Sequence, residues 1–298
     1  MRSQKKMMPN KNLKKWSLLV LLSLIWGSSF ILIKKGLIGL TPMQLGSFRI
    51  VISALFIFMV GYKSIGKLSK KQWKWLAVSG GLGTFFPSFL FAYAETEVDS
   101  AFASILNSLV PINTFIIGLI IFRIKSSRAQ IIGVIVGLIG AVFLIMEGAE
   151  LNPSQNYWYS GLIILATLMY ATNVNIIKKH LKGVRPIAIA TANFVVIFIP
   201  ALLVLFYSGG LHRSATTAVS FWPAIGCVVV LSLFGTAMAK VLFNRLIQIS
   251  TPVFASSVTY LMPVVALFWG LIDGEVFGWL QGCAAVVILS GIYLANKK

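Results

Sequence analysis

Ten apolar runs, each about as long as a bilayer is thick, leave this chain little choice of fold. They cover 16–35, 43–62, 73–94, 99–122 and 128–147. After a polar gap from Glu150 to Tyr157 come 157–178, 186–208, 220–245, 251–272 and 276–295. About 20 residues at 1.5 Å rise each cross roughly 30 Å of hydrocarbon. Lipid offers no hydrogen bonds, so a spanning chain is helical or a closed barrel. Barrel strands alternate in polarity; these runs are continuous. The expected fold is therefore all-α and integral to the membrane, with ten transmembrane helices. Ten spans use up most of 298 residues, and no sizeable soluble domain fits in the loops. The first run continues from Trp16 through Trp26 to Ile33 without a small-residue cleavage site, so it reads as a retained span, not a signal peptide.

Charge placement gives the expected orientation. The net charge is +19, and with 58% hydrophobic residues it reads as loop bias and not as a nucleic-acid-binding surface. If the basic tail, residues 1–15, is cytoplasmic, all but four of the 26 Lys and Arg fall on that side. The exceptions are Lys34, Lys35, Arg213 and the intramembrane Arg49. All seven acids fall on the other side. Both termini are expected in the cytoplasm.

The chain also repeats itself. At an offset of 144, residues 23–35 (SLIWGSSFILIKK) lie on 167–179 (TLMYATNVNIIKK), with Pro42 on Pro186. At 152, Gly83-Thr84 lies on Gly235-Thr236 and FASILNSLVP (102–111) on FASSVTYLMP (254–263). At 151, Gln130 meets Gln281 and Gly140 meets Gly291. Residues 16–147 and 157–296 are thus two five-helix repeats. Five is odd, so the second enters from the opposite face and the repeats are inverted. Inverted halves can exchange conformations about a midplane site, which is the architecture of secondary transporters.

These residues carry a family resemblance. Trp26-Gly27-Ser28-Ser29-Phe30 with Lys34, Pro42 with Arg49, Ala103-Ser104 before Pro111, Ala255-Ser256 before Pro263, and Gly274-Glu275 before Gln281 form an ordered set. The chain resembles ten-span members of the drug/metabolite transporter superfamily of the EamA type over residues 16–296. It departs from its own repeat in having Arg123-Ile124 where the second half has Gly274-Glu275. The resemblance implies a bacterial inner-membrane carrier, commonly an exporter of amino acids and other small metabolites. It also implies a central cavity lined by the first, third, fourth, sixth, eighth and ninth spans.

Polar groups inside spans are costly and are site candidates by default. Trp26 and Ser29 share a helix face, and their repeat mates Tyr170 and Asn173 share another. An aromatic face beside a small polar group suits an amphipathic solute; the alternative is simple packing. Asn107 and Tyr260 lie within a turn of Pro111 and Pro263. Each proline frees a carbonyl, that of Asn107 or of Thr259, to bind solute or be satisfied by a neighbour. Arg49, whose mate is Asn193, either snorkels, bonds helix carbonyls or meets an anion; the first two are favoured. Snorkelling also suits Lys34 and Lys178. Lys240 lies within the eighth span and is expected to face the cavity. If Lys240 or Arg49 meets the solute, the solute carries a carboxylate or another anionic group.

The missing residues narrow the chemistry further. No Asp or Glu lies deep in a span, Glu95 being the nearest exception, and His180 and His212 read as loop residues. Proton antiport through a buried acid is therefore not supported; facilitated export or exchange fits better. Four-span small multidrug transporters, which resemble relatives, carry a glutamate in the first span. Its absence here argues against cationic drugs. Neither an enzyme site, a metal, a cofactor nor an ATP-binding loop can be built from the residues available. Cys227 and Cys283 read as small core residues. Gly133, Gly137 and Gly140 form a face for helix packing or for a homodimer. The partners expected are a small-molecule substrate and membrane lipid. The alternative function is a membrane ligand sensor or assembly protein that keeps the duplicated fold without turnover.

Overall fold

The computed structural model describes residues 11–122, 128–211 and 219–296. Arg123-Ile124, His212, Arg213, Lys297, Lys298 and most of the basic tail lie outside the described residues. Among the described residues, nine helices are long and apolar enough to span: α1 (Asn12–Leu37), α2 (Pro42–Ser64), α3 (Lys70–Ala94), α4 (Ser100–Ile121), α5 (Ile131–Gly148), α6 (Tyr157–His180), α7 (Pro186–Tyr207), α8 (Phe221–Ile249) and α9 (Pro252–Ile272). The tenth run forms α10 (Trp279–Asn296), whose apolar part, Trp279–Gly291, is shorter. It starts later than the run because Gly274 turns the chain at φ 82° and Gln281 Oε1 accepts from Gly278 N at 3.1 Å, capping the helix there. The protein is an integral multi-pass membrane protein with a duplicated helical fold.

Local chemistry sets the helix starts. Thr41 and Gln44 form a capping box for α2, and Ser69 and Gln72 form one for α3; Thr251 Oγ1 accepts from Phe254 N at the start of α9.

The repeats are interleaved. α1 packs on α8 and α9 of the other half, and its mate α6 packs on α3 and α4. The self-mated pairs α2 with α7 and α5 with α10 complete the two-fold pattern. In α5 and α10 the small-residue face is used internally. A methyl group on Gly140 would meet Ile288 N at 2.8 Å, and one on Gly291 would meet Gly133 O at 2.7 Å. The face that the sequence left open between packing and dimerisation is thus occupied by α10.

Two paired irregularities shape the centre. α3 loosens into a π turn over Gly81–Phe85, and α8 does so over Leu231–Met238. Such turns mark functional sites in many helices. α4 breaks after Asn107 and α9 breaks around Ser257–Tyr260, each just before its proline.

Three sequence expectations need correction. Lys34 does not snorkel: its Nζ lies 2.8 Å from Glu275, 3.4 Å from Asp273 and 3.8 Å from Asp99. Its mate Lys178 does not snorkel either. It caps the end of α8, donating to Ile247 O at 3.1 Å and Ser250 O at 2.5 Å. In both cases fixed acceptors from the neighbouring turn outcompete the interface. His180 sits in the last turn of α6, not in a loop, stacked on Trp75 at 3.7 Å.

Candidate functional site

A cavity of about 100 Å³ lies at the centre of the bundle. Drug-sized ligands occupy roughly 300–1,000 Å³, so this space suits a small solute. All six helices expected to line it do so, and Arg49 from α2 joins them.

The wall is built twice by the repeat. Trp26 meets Phe243 edge-on, with centroids 4.8 Å apart; the mates Tyr170 and Phe91 stack at 6.1 Å. Ser29 faces Gly235 and Asn173 faces Gly83, so close that a methyl group on either glycine would collide with the polar side chain. These glycines sit in the two π turns, whose loosened carbonyls take side-chain donors. Trp26 Nε1 donates to Gly235 O at 2.8 Å, and Lys240 Nζ donates to Gly83 O at 2.7 Å.

The symmetry fails at the charges. Lys240 stands where the first half has Ser88, and Arg49 where the second has Asn193. Both basic side chains are buried, and both line the cavity. Arg49 Nε donates to Thr236 Oγ1 at 2.7 Å. It does not snorkel, because α2 packs on α7 and on the π turn of α8 and turns residue 49 inward. Among the described residues, the ion pairs are those of Lys34 and Lys35; neither Arg49 nor Lys240 has a carboxylate within ion-pair distance.

Trp26, Ser29, Arg49, Asn107, Tyr170, Asn173 and Lys240 all line this cavity. Tyr260 does not. The tight 3₁₀ turn at Ser257–Tyr260 puts Val258 and Thr259 on the wall instead. Thr259, not Tyr260, is the repeat mate of Asn107, so the offset of 152 held the signal. The same offset pairs Gly83-Thr84 with Gly235-Thr236, wall residues that the sequence marks as repeated but does not mark as a site. The Thr259 carbonyl expected to be freed by Pro263 accepts from Ser108 Oγ at 3.0 Å, so a neighbour satisfies it. Among the described residues, Asn107 Oδ1 and Thr84 Oγ1 have no hydrogen-bond partner.

One end of the bundle is held together by charge. Glu275 accepts from Lys34, from Ser100 N and Oγ at 3.1 and 2.6 Å, and from Ala101 N at 3.1 Å. Lys35 pairs with Asp273. Burial opposes the charge on Asp273, but the Lys35 hydrogen bond and the fields of both lysines hold its carboxyl below the usual aspartate value. At the other end Lys178 closes α6 onto α8.

Interleaved inverted repeats around a central cavity define the class: a membrane protein of transporter architecture. The chain belongs to the EamA-like transporter family, which it matches over residues 14–146 and 158–297. It is 27% identical to an uncharacterized transporter of Archaeoglobus fulgidus, covering 96% of this chain and 100% of that one. It is 25% identical to the uncharacterized inner membrane transporter YedA of Escherichia coli, covering 92% and 88%. It is also 25% identical to a probable amino-acid metabolite efflux pump of Salmonella typhimurium, covering 93% of each. A crystal structure at 16% identity shares the fold over 96% of each chain, with a TM-score of 0.65.

Proposed function

We propose that this chain is a secondary carrier that exports small carboxylate-bearing solutes, amino acids among them, across the cytoplasmic membrane by alternating access. The observation that supports this reading is the pair of buried basic groups, Arg49 and Lys240, in a wall that supplies neither with a carboxylate. An unpaired buried charge costs several kcal/mol. A solute carboxylate offsets that cost, while a cation adds to it. The aromatic pairs offer an apolar surface for the body of the solute, and Ser29 and Asn173 offer hydrogen bonds to orient it. Asn107 Oδ1 is an acceptor available to an ammonium group, which suits a zwitterion.

The direction of transport rests on the likeness to the efflux pump, and the cytoplasmic placement of both termini on the lysine and arginine bias. In this orientation the Lys34–Glu275 closure faces outward and the Lys178 closure faces the cytoplasm. Repeat-related lysines would then guard opposite entrances.

Thermal unfolding of the detergent-purified protein against amino acids, carboxylates, nucleosides and cationic dyes is the first test. A ligand at 100 times its Kd stabilises by about 2.7 kcal/mol. Anionic or zwitterionic solutes are expected to raise Tm, and those solutes should then show counterflow in liposomes. A shift with cationic dyes alone overturns the reading. Binding without counterflow would make the protein a sensor instead.

Gly83→Ala is expected to separate folding from transport. Its methyl group would sit 2.7 Å from Lys240 Nζ and against the Asn173 amide, both movable ends of side chains. They can yield into the cavity, so Tm should change little. Counterflow should fall about tenfold or more, because Lys240 loses its Gly83 carbonyl and the cavity is filled.

A further inference from the structure

Glu95 is a buried acid to which the carrier reading gives no task. It directly follows α3, where Ser88, Phe91 and Glu95 share one face by helical spacing. Ser88 and Phe91 line the cavity, so Glu95 stands about 6 Å beyond Phe91, toward the Lys34 closure. It is 6% exposed, and among the described residues neither carboxyl oxygen has a hydrogen-bond partner and it belongs to none of the ion pairs. The charges that reach it come from three other elements: Arg49 on α2, Lys34 on α1, and Glu275 ahead of α10. Tyr170 of α6, stacked on Phe91, lies within electrostatic reach of the same Arg49.

Two forces act on this carboxyl. Burial without donors favours its neutral, protonated form, and so does Glu275; Arg49 and Lys34 favour the ionised form. Arg49 is also a cavity group. An anion bound there cancels the Arg49 share of the field that favours ionised Glu95. An empty site leaves Arg49 in the field of Glu95. Occupancy of one site is therefore linked to protonation of the other, and linkage is reciprocal.

We propose that Glu95 is the proton-binding site of this carrier, and that a solute anion at Arg49 and a proton at Glu95 bind together and cross together. The proton joins the Glu95 carboxylate from the side on which the solute enters and leaves on the side where it departs. Solute and proton move in the same direction, which is symport and not antiport. The proposal rests on the anion-carrier reading, and its test separates the two.

The full-length protein is purified as wild type, Glu95→Gln and Glu95→Asp, and acetate, succinate and L-leucine are the probes. In wild type, ionised Glu95 competes for Arg49, so the affinity for a probe anion should fall about tenfold per pH unit above the Glu95 titration. In Glu95→Gln the affinity should be flat with pH, and net downhill flux of succinate or L-leucine, which carries protons in wild type, should persist without acidifying or alkalinising liposomes that carry a pH dye. Glu95→Asp should keep the slope. A Glu95→Gln protein with the wild-type slope and proton flux overturns the proposal. Infrared difference titration from about pH 5 to about pH 9 tests the site without any ligand. A protonated-carboxyl band lost in Glu95→Gln is expected, and its absence from wild type across that range overturns the proposal. If no probe binds wild type, the anion reading and the coupling fall together, while the infrared band still decides whether Glu95 holds a proton.

Discussion

Arg49→Met is expected to abolish saturable binding of anionic solutes while leaving the protein folded. Methionine matches much of the arginine stem and removes the charge. The fold should survive because, among the described residues, the Arg49 side chain makes a single hydrogen bond, from Nε to Thr236 Oγ1, and Thr236 keeps its own bond to Leu231 O at 3.0 Å. Removing an unpaired buried cation also removes a desolvation cost, so Tm should hold or rise slightly. The solute carboxylate, in contrast, loses its main counter-charge. Truncating one partner of a buried charge pair costs about 2–5 kcal/mol, a loss of roughly 30- to 4,000-fold in affinity. Arg49→Lys should recover part of it, because a point charge replaces a planar fork. Titration calorimetry with succinate and leucine gives the measurement. Equal losses for anionic and uncharged solutes would mean that Arg49 only shapes the wall.

That arginine also shows where reading the sequence stops. Run length and apolar continuity settle the helical membrane fold, because lipid allows few alternatives. The collinear offsets settle the duplication, and with it the helices that meet at the centre. Placing one side chain depends on helix rotation, which depends on what each helix packs against. Arg49 faces inward because α7 and the π turn of α8 hold α2 in that register. Tyr260 turns away because the chain tightens into a 3₁₀ turn before Pro263. The π turns at Gly83 and Gly235 carry no local signal beyond a repeated Gly-Thr. Glu95 falls at the edge of an apolar run, where composition cannot tell a solvated end from a buried one. Lys34 and Lys178 read as interfacial lysines until the acceptors that hold them are in view: carboxylates from the loops before α4 and α10, and carbonyls at the end of α8.

The largest loss of stability is expected from Glu275→Ala. The Glu275 side chain is 2% exposed, and its two oxygens take the Lys34 ammonium, the Ser100 hydroxyl and the first two backbone N–H groups of α4. An anion at a helix N-terminus is held by unsatisfied amides as well as by charge. Alanine leaves those amides without an acceptor and leaves Lys34 with only the more distant Asp273 and Asp99. Breaking a buried pair by removing one partner costs about 3–5 kcal/mol, which thermal unfolding should register as a clear fall in Tm. Glu275→Gln should be intermediate: it keeps one acceptor but turns an N–H toward the Ala101 amide. The same bonds tie α1, α4 and the segment before α10 at one end of the bundle, while Lys178 ties α6 to α8 at the other. If repeat-related closures alternate, weakening one should open its own side only. With Cys227 and Cys283 replaced and Ser29→Cys as reporter in the cavity wall, Glu275→Ala should speed labelling by an impermeant maleimide from the Lys34 side. Lys178→Ala should speed it from the other side. Unchanged labelling in both variants would make the two clusters fixed staples of the fold, and the moving parts would then have to lie in the broken helices α4 and α9.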